Sequence, residues 1–293
     1  MIWVYTVTES NELQARDASS LQELQSLSKE VDWLWIDFME PDDKELEVVA
    51  GLLEAAKIVS DFKERKVFPR PERIDDYLLF SVPLAVYESR LEAFSIYVFV
   101  KEKMFLTLRS RHFSKSVKNS LKTFEDCVGK VCAGVTNSSF ILSRLFHEIS
   151  NENLDVVIAL RENIDKIEER TLAKPWDKGI SRSVFGIKRE ISALERILWA
   201  QRELILSIRE GVVLEIKTSE RIVATLSHAV NNISRELSLL DSDNNALDSI
   251  LRLQDLGMIH KVERNLIYLT LMALIVSALL ILLEIDIINL LSR

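Results

Sequence analysis

The chain is poor in residues that cross-link or interrupt a fold. It has two cysteines, five prolines and seven glycines in 293 residues. Cys127 and Cys132 do not form a Cys-x-x-Cys pair, and no histidine is near enough in sequence to complete a zinc pattern. They read as reduced structural thiols. There is no glycine-rich phosphate loop and no nucleophile motif. His112, His147, His228 and His260 are scattered and have no obvious co-ligands nearby. Enzymatic chemistry is therefore not expected. Positive charge is not in excess either. The formal net charge is -8, which argues against a nucleic-acid partner and suits a protein that attracts cations. The first nine residues lack a basic start followed by an apolar core, so no signal peptide is read there. The N-terminal bulk is expected in the cytoplasm.

What is present is unevenly distributed. Hydrophobic residues make up 48% of the chain. Leu266 to Leu283 reads LIYLTLMALIVSALLILL, with no charge, Pro or Gly. At about 1.5 Å per residue this run spans about 27 Å, close to the hydrocarbon core of a bilayer. Arg252, Lys261 and Arg264 precede it, while Glu284 and Asp286 follow it. The basic side is the cytoplasmic side. No second run of this kind occurs, so a single-pass protein in the cell membrane is expected. Glu263, Thr270, Ser277 and Glu284 recur every seven residues and share one stripe of that helix. Two readings of the stripe stand. It lines a pore in an oligomer, or its hydroxyls bond to their own backbone while its carboxylates rest in the interface.

All five prolines fall at or before Pro175. Ahead of it, Ile2–Val7, Val31–Phe38, Tyr77–Tyr87, Ala93–Val100 and Met104–Arg109 are rich in β-branched and aromatic residues and read as strands. Ser20–Leu27 and the acidic start after Pro41 read as helices. Interleaved strands and helices predict a layered α/β domain over 1–135. Phe140 to Thr171 and Ser181 to Arg209 carry helical periodicity and are expected to form an antiparallel hairpin within 136–215. The acidic face of the first, with Glu148, Glu152, Asp155 and Glu162, reads as solvated in preference to metal-binding. Leu226, Val230, Ile233, Leu237 and Leu240 mark a coiled-coil seam on a stalk helix over 216–265. It leads into a transmembrane helix over 266–285 and a short tail over 286–293. A stalk of this length needs partners along it, so a homo-oligomer is expected.

The organisation resembles the CorA family of magnesium and cobalt channels. The resemblance rests on Trp35-Ile-Asp-Phe-Met-Glu-Pro-Asp-Asp-Lys-Glu-Leu, Tyr77-Leu-Leu-Phe and the stretch from Ile96 to Arg109. It continues in the paired helices at Val156–Glu169 and Ile187–Glu203 and in the stalk from Glu220. It implies a funnel-shaped homopentamer around an axial pore for hydrated Mg2+ or another divalent cation. Glu263, Leu266, Thr270, Ser277 and Glu284 then fall at pore-facing positions, with Leu266 in the hydrophobic constriction. Glu284 and Asp286 are the implied cation-attracting residues, and Asn289 the implied supplier of amide carbonyls to the cation's water shell. The sequence also departs from the family. Ile287-Ile288-Asn289 stands where the family has Gly-Met-Asn, no second apolar run is read within these 293 residues, and His228 occupies the place of a stalk aspartate that senses magnesium. Imidazole is a poor magnesium ligand. Three functions follow: a divalent-cation channel, a non-conducting membrane-anchored sensor or scaffold, and a shortened form of a two-helix transporter.

Overall fold

A computed structural model describes residues 2–7, 13–17, 21–31, 33–54, 60, 62–63, 70–74, 76–101, 103–125, 137–213 and 216–291. Its side chains are described as far as Ile281. Cys127 and Cys132 lie outside these residues.

Seven strands form one sheet: β1 (Ile2–Val7), β2 (Leu13–Asp17), β3 (Leu34–Met39), β4 (Glu72–Ile74), β5 (Tyr77–Tyr87), β6 (Leu91–Lys101) and β7 (Met104–Arg109). Their order is β2-β1-β3-β7-β6-β5-β4. β3 and β7 run parallel, with Leu34 opposite Met104 and Met39 opposite Arg109. The other pairings are antiparallel. The central strands β3 and β7 are almost wholly buried on both faces, which is why they read as near-continuous apolar runs.

Two helices cover one face, α1 (Leu21–Glu30) and α2 (Asp43–Leu53). Leu24, Val49 and Leu53 pack there against Val4, Ile36, Phe99 and Leu106. α2 starts where Asp42 accepts from the Glu45 amide at 2.8 Å and the Glu45 carboxylate accepts from the Asp42 amide at 3.0 Å. This capping box satisfies two otherwise orphaned donors. After β7 come one 3₁₀ turn (Arg111–Phe113) and helix α3 (Ser114–Glu125).

Three long helices complete the chain: α4 (Asn137–Ala173), α5 (Gly179–Arg209) and α6 (Glu220–Leu291). The fold divides into two compact units, one of residues 1–160 with 190–241, the other of 161–189 with 242–293. The division passes through all three helices. In the first unit, Asn153 on α4 donates to Gln201 on α5 at 2.7 Å, and Gln201 donates to the Pro83 carbonyl of β5 at 2.6 Å. In the second, Arg161 on α4 pairs with Asp243 on α6 at 2.8 Å, and Lys188 on α5 pairs with Asp248 on α6 at 2.6 Å. The turn Lys174–Lys178 grips α6. Gln254 donates to the Asp177 carbonyl at 3.0 Å, and a Cβ on Gly257 would run into the Pro175 ring.

α6 is one helix of 72 residues, about 108 Å long at 1.5 Å per residue. The polar patch Asp241–Asn245 does not interrupt it, because Asp243 turns inward onto Arg161.

Candidate functional site: the polar stripe of the long helix

Among the described residues, α6 is the one helix long and apolar enough to cross a membrane, with mean hydropathy 2.0 in its best window. None of that window is buried inside the chain. Leu266, Ile267, Leu269, Leu271, Met272 and Leu274 are all more than half exposed. A patch of this size left in water is strongly unfavourable, so lipid or other copies of the helix must cover it.

At 100° per residue, Glu263, Leu266, Thr270, Ser277 and Glu284 lie within about 60° of one another around the axis. Glu263, Leu266, Thr270 and Ser277 are exposed. The Glu263 carboxylate meets His260 Nδ1 at 3.2 Å, one turn back on the same helix. The Thr270 hydroxyl donates to the Leu266 carbonyl at 2.8 Å, satisfying itself within its own helix. That bond leaves the hydroxyl oxygen able to accept from a water on the exposed side. The backbone stays helical past residue 285, as far as Leu291. The side chains of Glu284, Asp286 and Asn289 lie outside the described residues.

His228 is exposed on α6, and its field reaches His147 on α4. Burial, and secondarily Arg144, hold the His147 imidazole below its usual value, and His228 adds to the depression. The His147 Nδ1 is buried without a partner. Among the described residues, no three His, Cys, Asp or Glu side chains converge to hold a metal ion. The acidic face of α4 is largely engaged by protein. Glu148 accepts from Asn119 at 3.0 Å, Glu152 from Ser116 at 2.9 Å, and Asp155 pairs with Lys115 at 3.3 Å. Burial raises the Glu152 carboxyl above its ordinary value, partly offset by the Ser116 bond.

Two polar features escaped the sequence reading. Asp37 on β3 is fully buried. It accepts from Arg109 Nη2 at 2.7 Å and from the Thr107 hydroxyl at 2.6 Å, which in turn accepts from the Trp35 indole at 3.0 Å. The second is Glu236 on α6, 0% exposed, with neither carboxylate oxygen hydrogen-bonded. Burial pushes its pKa up to about 7, against smaller opposing effects of the Asn153 side chain and Arg235. The buried line along α6 is Leu226, Val230, Ile233, Glu236 and Leu240. Glu236 takes the place that hydrophobic spacing gives to Leu237.

The chain matches the CorA-like Mg2+ transporter protein family over residues 30–281. A curated relative, the cobalt/magnesium transport protein CorA of Methanocaldococcus jannaschii, is 22% identical over 198 residues. That alignment covers 64% of this chain and 58% of the relative's length. The complete structure of the CorA magnesium transporter from the same organism superposes with a TM-score of 0.69 at 15% identity, covering 91% of this chain and 80% of the other. The structure of the soluble domain of that organism's CorA gives a TM-score of 0.63 at 16% identity, over 87% and 96% of the two chains. At these identities the structural likeness establishes a shared fold.

Proposed function

The chain belongs to the CorA-like Mg2+ transporter family, and on that premise we propose that it carries a divalent cation, Mg2+ or Co2+, through a membrane along an axial pore built by a homopentamer. The observation that carries this reading is the stripe. Apart from Tyr268, an exposed apolar span holds its polar side chains on one narrow arc, and lipid is the wrong neighbour for that arc. Five such arcs turned inward make a channel wall.

The proposed path follows from the chemistry of the ion. Mg2+ sheds its water reluctantly, so it passes hydrated. Rings of Thr270 and Ser277 offer hydroxyl oxygens to the hydration shell without replacing it. A Leu266 ring offers none and forms the constriction, a barrier that gates by dewetting. Glu284 concentrates cations at the far mouth; on a helix that continues to Leu291, Asp286 and Asn289 lie about 160° and 140° around the axis from it, off the arc. The basic residues before the span support a cytoplasmic location for the sheet domain. The family is one of transporters and not of enzymes.

The test is magnesium uptake into proteoliposomes, with an inward gradient and a negative internal potential. Uptake above empty liposomes, reduced several-fold by Ser277→Leu, is the expected outcome. The second reading is a cation-sensing scaffold that does not conduct, favoured by Ile287-Ile288-Asn289 in place of Gly-Met-Asn. It predicts a melting temperature that moves with Mg2+, with no flux from a confirmed pentamer.

A further inference from the structure

A cavity of 740 Å³ opens in the first unit where β3 and β7 end. Its position has a topological cause. β3 and β7 are parallel, and at their carboxyl ends the chain leaves in two directions, to α2 from one and to the 3₁₀ turn and α3 from the other. Crevices of this kind are where open α/β sheets hold small molecules. The volume lies within the range of ligand pockets, about 300–1,000 Å³.

Three local features mark the cavity as more than a packing gap. Glu40, on its rim, is held at φ 47°, a conformation costly for a residue with a side chain, and its amide donates to the Arg109 carbonyl at 2.8 Å. Ser110 lines the cavity with a hydroxyl oxygen that is buried yet has no hydrogen-bond partner. A buried hydroxyl left unmatched is unfavourable unless something polar arrives to meet it. The wall of α5 presents Ala193, Arg196, Ile197 and Ala200, with an alanine at each end keeping the space open.

The charges select the ligand. Four of the charged side chains on the wall are already compensated. Arg109 is held by Asp37, Lys63 by Asp43 at 2.6 Å, and Glu40 by Arg111 at 2.8 Å. Arg196 makes no ion pair among the described residues. Arg196 is therefore the one charged wall residue without an ion pair among the described residues, and it is exposed, with its field reaching the neighbouring Glu195 carboxylate. Its apolar lining is aromatic. Phe94 stacks on His112 with ring centres 4.0 Å apart, and Tyr97 meets Phe62 edge-on at 5.2 Å. Such rings favour a planar π-system.

We propose that this cavity is a binding site for an aromatic monoanion, with its ring against Phe94 and Tyr97 and its acid group on the Arg196 guanidinium, where it also accepts a hydrogen bond from the Ser110 hydroxyl. The site takes neither a metal ion nor a bare inorganic anion. Its carboxylates are engaged, and a small ion would leave the aromatic space empty. This inference does not depend on transport.

The probe is 2-naphthoate, titrated calorimetrically into the full chain in lipid nanodiscs with empty nanodiscs as the control. One saturable site per chain is expected. The uncharged 2-naphthol should bind about tenfold more weakly, the fold-change expected for losing one charge-assisted hydrogen bond. Acetate should not bind. Arg196→Gln should weaken naphthoate by a similar factor and leave naphthol unchanged, and Ala200→Trp should abolish both by filling the cavity. No saturable naphthoate binding to the parent chain overturns the proposal. So does equal affinity for naphthoate and naphthol, or undiminished binding in a folded Ala200→Trp. The three-ligand series on the parent chain decides the matter even if a variant fails to fold.

Discussion

Replacing Glu236 by Gln should stabilise the protein at neutral and alkaline pH, and the reason is a proton. The side chain is fully buried and its carboxylate has no hydrogen-bonded partner. Its pKa is about 7 in the folded chain, against an ordinary 4.5 once unfolded. Between those values the folded state keeps a proton that the unfolded state has shed. The contribution of Glu236 to stability is therefore most favourable below about pH 4.5, falls as pH rises through the window, and levels off above about pH 7. The gap corresponds to about 3 kcal/mol. Gln is close in shape to the protonated acid and never ionises. Near pH 4.5 parent and variant should lie within about 1 kcal/mol of each other. At pH 8 the variant should be more stable by up to about 3 kcal/mol, or roughly 6–12 °C in Tm for a unit of this size. Thermal unfolding of the full chain in detergent at a series of pH values reads this directly. A Gln variant that melts lower than the parent at pH 8, or keeps the parent's full slope between pH 5 and pH 8, would refute the argument.

Three further outcomes are expected. Asp37→Ala strands the buried Arg109 charge and should cost about 3–5 kcal/mol, while Asp37→Leu combined with Arg109→Met should recover most of it, followed by Trp fluorescence during urea unfolding. Gly257→Ala should gain up to about 1 kcal/mol from helix propensity alone. The new Cβ meets the Pro175 ring, with the Pro175 Cα only 3.4 Å away, so the net effect should be a loss of about 1–3 kcal/mol, largely relieved by Pro175→Gly, which removes the clashing Cβ and Cγ, and visible as faster amide exchange around residue 175. In proteoliposomes, Leu266→Asn should raise resting Mg2+ leak by removing the dewetted ring; unchanged leak would remove Leu266 from the constriction.

The α/β layer and the long C-terminal helix were legible in the sequence because their signals are local. Strand β7 is read directly from Met104–Arg109, and Pro175 marks the break between α4 and α5. The edge strands β2 and β4 were not legible. Leu13–Asp17 and Glu72–Ile74 are short, polar and stabilised by one neighbour each. Helix α3 was missed for a related reason. Ser114–Glu125 is rich in Ser and Lys and takes its place by burying Val117 and Phe124, which spacing alone understates. The polar stripe is visible at seven-residue spacing, but the partner of Glu263 is not, because a lone His260 three residues away carries no ligand pattern of its own. Glu236 was hidden by its neighbour. A hydrophobic pattern selects Leu237, and only the packing of three helices puts the carboxylate inside.

The turn between α4 and α5 fixes more than the position of the helix it grips. Pro175 fits against the only glycine of α6, and Gln254 is anchored to the Asp177 carbonyl one turn earlier. A helix held at such a notch cannot rotate freely, because one residue of slip turns its whole surface by about 100°. The notch at Gly257 lies nine residues before Leu266, about 14 Å along the axis. The azimuth of every side chain beyond it is thereby set, and the polar arc inherits its direction from a proline ring that lies outside the span.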